Sequence, residues 1–166
     1  VTDWLDGLGA GETPPTGQIL VVGDAPALIA RARELADQRG SYVAVAAPNP
    51  TPRLFHAGAD TAADVPLEPD PIFALMRERG ADIVLGPQTP QAAFLLGRLA
   101  QRTGGGLVRA RDVEIDPDSG RLVCRADAYG GRLLLELAPN PPAFALLDVE
   151  RLPPAVEDPR RGGAML

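Results

Sequence analysis

The sequence holds one cysteine, Cys124, and one histidine, His56, among 166 residues. A single thiol excludes an internal disulfide, a cysteine-rich metal site and a CxxC redox pair. A single imidazole excludes zinc chemistry built on several histidines. Aromatic residues make up only 4% of the chain, which leaves few stacking platforms for a flavin or for bases. Lysine is absent, so all 16 basic residues are arginine; 22 acids outnumber them, for a formal charge of -6. That balance disfavours a general attraction to nucleic acid or an anionic membrane, because phosphate binding draws on a concentrated positive field. No run approaches the roughly 18 apolar residues of a membrane span, and no basic-then-apolar leader opens the sequence. The expectation is a cytoplasmic protein with no membrane span and no nucleic-acid partner.

Hydrophobic residues reach 45%, enough to bury the core of one domain without disulfides. Residues 1–17 carry four glycines, two prolines and several acids without a sustained period, and read as a flexible leader. From Gln18 strands and helices alternate. Ile19-Leu20-Val21-Val22 suits a buried parallel strand. Pro26 opens a helix whose Leu28, Ala32, Leu35 and Ala36 share one face before Gly40 stops it. A second strand spans Tyr42–Ala46, a short strand Arg53–His56 follows, and an irregular run passes through Pro66 and Pro69. A helix over Pro71–Arg79 precedes the strand Ile83-Val84-Leu85. Thr89 then caps a helix that Pro90 begins and that runs to about Arg102. This order predicts an α/β fold of three layers, with a doubly wound, mostly parallel Rossmann-like sheet.

After Gly104-Gly105-Gly106 the pattern changes. Extended pieces at Leu107-Val108 and Val113–Ile115, a turn at Asp116–Gly120, and runs at Arg121–Ala126 and Arg132–Leu137 flank a Gly130-Gly131 turn. Ala143–Leu147 adds another strand. Hairpin signals of this kind predict antiparallel strands attached to the same sheet. The domain is expected over residues 18–150, with residues 151–166 a flexible tail that frays beyond about Pro159.

In an open parallel sheet, ligands bind beyond the C-terminal strand ends where the strand order reverses. If strands 19–22 and 83–85 are central neighbours, Gly23, Asp24, Gly86, Gln88 and Thr89 face one another there. Backbone amides at the start of the following helix suit an anion, whereas the Asp24 carboxylate opposes a phosphate. Neither a GxGxxG after the first strand nor a GxxxxGK[ST] occurs. An adenine-nucleotide site in this crevice stands beside the plainer reading that these loops only turn the chain. His56 has no serine or cysteine at a catalytic spacing and reads as a structural histidine; an enzyme using Asp24 or His56 is the remaining competitor. Cys124 reads as a buried small side chain. Asp112, Glu114, Asp116 and Asp118 lack the twelfth-position glutamate of a helix–loop–helix calcium site, and a hairpin turn accounts for them. No catalytic constellation and no metal site emerges.

Charge is uneven: the first 80 residues hold 11 acids and 6 bases, the remainder 11 acids and 10 bases. Seven arginines fall between Arg98 and Arg132, a solvated face or a partner surface. Over residues 81–137 the motifs Gly80-Ala81-Asp82 through Gly86, Arg98-Leu99-Ala100, Gly106-Leu107-Val108, Asp112-Val113 and Tyr129-Gly130-Gly131 follow one another in a recognisable order. With Gly58-Ala59-Asp60 upstream, this set resembles the N-terminal domain of the electron transfer flavoprotein alpha subunit, a likeness covering about residues 18–150. The second domain of that family, with its serine–arginine segment and IGQTG-like stretch, has no counterpart here. The resemblance therefore implies a non-catalytic scaffold in an electron-transfer assembly. On the same resemblance, this chain alone is expected to bind no cofactor, with FAD possible in the full assembly and held mainly by another domain or chain. The implied partner is an electron transfer flavoprotein beta-like subunit or a second copy, docked through Arg98, Arg109, Arg111 and Arg132.

Overall fold

The computed structural model describes residues 17–166; the expected leader, apart from Gly17, lies outside the described residues. Ten strands and four α-helices follow in chain order among them: β1 (Gln18–Val22), α1 (Pro26–Arg39), β2 (Val43–Ala47), α2 (Arg53–Ala57), β3 (Thr61–Asp64), α3 (Pro69–Arg79), β4 (Ala81–Pro87) and α4 (Pro90–Thr103). The remaining strands are β5 (Leu107–Ala110), β6 (Asp112–Ile115), β7 (Leu122–Ala128), β8 (Leu133–Leu137), β9 (Ala143–Leu147) and β10 (Ala164–Met165). A seven-stranded sheet runs in the order β10-β3-β2-β1-β4-β9-β5, and every pairing in it is parallel. The fold is the expected three-layer Rossmann-like α/β architecture.

Sequence alternation in the central strands explains the two cores. Ile19 and Val21 of β1 join Leu28, Ile29 and Leu35 of α1 on one side of the sheet. Leu20 and Val22 face the other side, with Ile72 of α3 and Leu95, Leu96 and Leu99 of α4. Since each face is covered by helices, β1, β2 and β9 are apolar at almost every position, as a doubly covered parallel strand must be. Gly40 ends α1 in the left-handed conformation, φ 65°, where a side chain would be strained. Among the described residues no helix is long and apolar enough to cross a membrane.

Four expectations are corrected. Residues Arg53–Ala57 form a helical turn, not a strand: Leu54 and Phe55 bury together, with their amides bonded back to Thr51 and Pro52. The irregular run after Asp60 contains a strand, β3, paired with β2. The C-terminal third does not add antiparallel strands to the main sheet. Instead β5 and β9 join it in parallel, while β6, β7 and β8 make a separate three-stranded antiparallel sheet. Lastly, the tail beyond Pro159 does not fray: Ala164 and Leu166 donate to the Asp60 and Ala62 carbonyls and extend the sheet through β10.

Asp60 is the residue that ties this edge together. Its carboxylate accepts from Arg33 at 2.6 Å, from the Val43 amide at 2.8 Å and from Arg161 at 3.4 Å, joining α1, β2 and the tail. A hydrogen bond to a charged group contributes about 1.5–3 kcal/mol, and removing the shared acceptor strands three donors. Asp60→Ala should therefore cost about 2–3 kcal/mol in denaturant unfolding. A change under about 0.5 kcal/mol would show the hub to be surface decoration.

Candidate functional site

β1 and β4 are adjacent, and the chain departs from them in opposite directions across the sheet. The topological switch point therefore lies where the sequence placed it, at the C-terminal ends of these two strands. Four of its five expected residues have other work. A Cβ on Gly86 would stand 3.1 Å from Val22 and 3.2 Å from Leu96, so α4 packs into the space a side chain would need. Gln88 turns its amide into the fold and donates to the Ala110 and Leu146 carbonyls, both at 3.3 Å. The Thr89 hydroxyl accepts from the Ala92 amide and caps α4. The Gly23 amide donates to Ala46 at 2.8 Å, and Asp24 points to solvent. What remains is a hollow of about 180 Å³ bordered by Gly23, Leu67 and Thr89. Small-molecule sites usually enclose about 300–1,000 Å³. A flavin adenine dinucleotide does not fit these residues, and an adenine nucleotide would find an undersized, mainly apolar hollow.

A larger cleft, about 960 Å³, opens between α1, α2 and the tail, and His56 lies in its wall. Five arginines line it, and each is paired with a carboxylate of the same chain. Arg31 bonds Glu34 and Asp112, Arg33 bonds Asp37 and Asp60, and Arg161 also reaches Asp60. Arg111 meets Asp127 and Arg151 meets Asp148, both at 3.4 Å. Positive charge here is largely compensated, and the ion pairs hold the tail and β6 against the helical layer.

The arginines expected to form one docking surface are dispersed. Arg98 is exposed on α4, in a groove it shares with Pro69 and Asp70 of α3. Arg111 lies in the large cleft, across the main sheet from α4. Arg109 is exposed on β5, the edge strand of the main sheet, and Arg132 stands in the turn just before β8. Sequence proximity suggested a patch; the chain reversals between Arg98 and Arg132 separate its members.

Apolar exposure concentrates elsewhere. Along the three-stranded sheet, Val113 of β6 pairs with Cys124 of β7, which pairs with Leu137 of β8. Val113 and Cys124 are buried against the core, whereas Leu137 is 40% exposed. The same face continues through Leu135 and Leu133, at 43% and 52%, and Leu134 on the opposite face reaches 54%. β8 therefore carries the core-facing surface of its sheet out beyond the body of the domain. Its outer edge has no neighbouring strand among the described residues.

Cys124 is fully buried on this sheet, and burial pushes its thiol up to about 12 from an ordinary 9.0. The native thiol should resist alkylation at pH about 8.5 and react promptly once the chain is unfolded. The unfolded state loses this proton first as pH rises, so the thiol's contribution to stability is complete below pH 9 and declines toward pH 12. Cys124→Ala should lessen that decline; equal alkaline profiles for the two proteins would contradict it. At the β6–β7 turn, Asp116 accepts from the Ser119 hydroxyl and the Asp118 amide, which hold its carboxyl below the usual range. The acidic run is thus a turn, and no cluster suited to a metal ion occurs among the described residues. No protein-family model and no curated protein matches the chain.

Proposed function

We propose that the chain is a non-catalytic docking domain of an electron transfer flavoprotein-like assembly, whose flavin is held mainly by another domain or chain. The observation that carries this reading is the leucine surface of β8. Four leucines between 40 and 54% exposed, on a strand whose outer edge has no neighbouring strand among the described residues, form the kind of surface a protein partner covers. The groups that sequence alone offered for chemistry have structural duties instead. Gln88 clamps two strands, Thr89 caps a helix and Cys124 is buried. The ordered motifs between Gly58 and Gly131 support this choice of assembly.

The test is capture from the native source through a tag on this chain, comparing wild type with the Leu133→Ser/Leu135→Ser double variant. Both leucines are already half in water, so the variant should melt within a few degrees of wild type. Wild type should bring down a flavin-carrying chain, and the variant should lose most of it. Equal recovery of that chain by both proteins would contradict the role given to β8.

A further inference from the structure

β8 is an edge strand with few of the usual protections. It contains neither proline nor lysine, Glu136 is its one charge, its ladder with β7 runs without a register break, and among the described residues no strand continues the sheet beyond it. Natural edges of this length are ordinarily blunted by such devices, because unpaired N–H and C=O groups recruit another strand. From Arg132 to Glu136 the order is Arg-Leu-Leu-Leu-Glu, with opposite charges placed symmetrically about Leu134. Arg132 makes no ion pair among the described residues, and Glu136 has only a 3.9 Å approach to Arg125.

We propose that β8 pairs with β8 of a second copy, antiparallel about a two-fold axis at Leu134, joining two three-stranded sheets into one of six. This rests on the reading of that sheet as a docking surface: the second copy takes the backbone edge of β8, and the leucine face of the joined sheet is left to the flavin-carrying chain. A two-fold axis between antiparallel strands must pass through a pair of identical residues, because directly opposite side chains lie on the same face. Centred on Leu134, the pairing sets each Leu133 across from Leu135 of the second copy and brings each Arg132, the turn residue that leads into β8, beside the opposite Glu136. Centred on Leu135, it would face Glu136 with leucine and leave Arg132 unmatched. Centred on Glu136, it would oppose two carboxylates. Only the Leu134 register satisfies both the charges and the leucines, and cross-strand pairs of both kinds stabilise a ladder. The interface is isologous and closes at the dimer, so it leads to no fibre.

Sedimentation equilibrium of the full chain from about 1 to 100 µM tests the proposal. Wild type should approach twice its 17.4 kDa mass as concentration rises. Arg132→Glu alone opposes two carboxylates and Glu136→Arg alone opposes two guanidinium groups, so each should weaken the dimer tenfold or more. The double variant Arg132→Glu/Glu136→Arg exchanges the signs and should regain wild-type association within about threefold. Both positions are exposed, and circular dichroism should show unchanged melting. Wild type remaining monomeric throughout, or a double variant as weak as the singles, would overturn the self-pairing. A monomeric wild type that still captures a flavin-carrying chain through Leu133 and Leu135 would refute the self-pairing alone. A charge-swappable dimer whose leucine variant captures that chain undiminished would support the self-pairing and refute the wider docking reading.

Discussion

Replacing Gly105 with alanine is expected to cost about 3 kcal/mol or more, lowering the melting temperature by roughly 6–12 °C. Gly105 and Gly106, after α4, pass so close to the β8–β9 connection that a Cβ on Gly105 would overlap the Pro142 carbonyl oxygen. It would also stand 2.9 Å from the Phe144 ring. Neither neighbour can swing away: one is backbone and the other is fully buried. Gly106 is bound in the same place, its amide donating to Asn140 and its carbonyl accepting from Phe144. Relief would require moving β9 relative to β5, and the strand pair beneath the three-stranded sheet would shift with it. Gly162→Ala, where a Cβ meets nothing within 4 Å, is the matching control and should change stability by less than about 0.5 kcal/mol. Equal melting of the two variants would show that the glycine run is spacing rather than a close approach.

Phe144→Ala is expected to cost about 3–5 kcal/mol, or roughly 10 °C in melting temperature. Phe144 is completely buried on β9, between β4 and β5, and belongs to the core that α3 and α4 cover. Truncation removes the transfer energy of the ring and leaves a cavity in a sheet that cannot collapse around it. The ring also supports the Gly105 crossing, so Gly105→Ala and Phe144→Ala should not be additive: the double variant should lose less than the sum. Strict additivity in chemical denaturation would separate the two sites.

The central strands and the long helices were legible because their signals are local. Ile19–Val22 is a short continuous apolar run, and Pro26, Gly40, Thr89 and Pro90 stand where the helices begin or end. Adjacency of β1 and β4 entered the sequence reading as a condition, and the pairing of the two strands meets it. Three features were hidden for different physical reasons. Arg53–Ala57 is a single turn, too short for periodicity to distinguish from a strand. β10 is two residues held by backbone hydrogen bonds to a strand a hundred residues away, and its proline- and glycine-rich surroundings resemble a loose tail. The split between the main sheet and the projecting one depends on which strands pair. Hairpin signals at Asp116–Gly120 and Gly130-Gly131 fix β6–β8 to one another but say nothing of their attachment. For the site, sequence marked arginines by proximity along the chain. The more telling signal was Leu133–Leu137, four leucines broken only by Glu136. That run reads as core until the structure shows its exposure.

The most direct measurement of the central claim is the visible absorption spectrum of this chain purified alone, set beside that of the complex it forms in its native source. The chain alone should show no flavin bands near ~370 and ~450 nm, since the hollow at Gly23 and Thr89 is too small for the cofactor and the arginines of the larger cleft are held by carboxylates of the same chain. The complex should show both bands, with the flavin assigned to another chain at about one per assembly. A stoichiometric flavin spectrum from this chain by itself would contradict the docking-domain account.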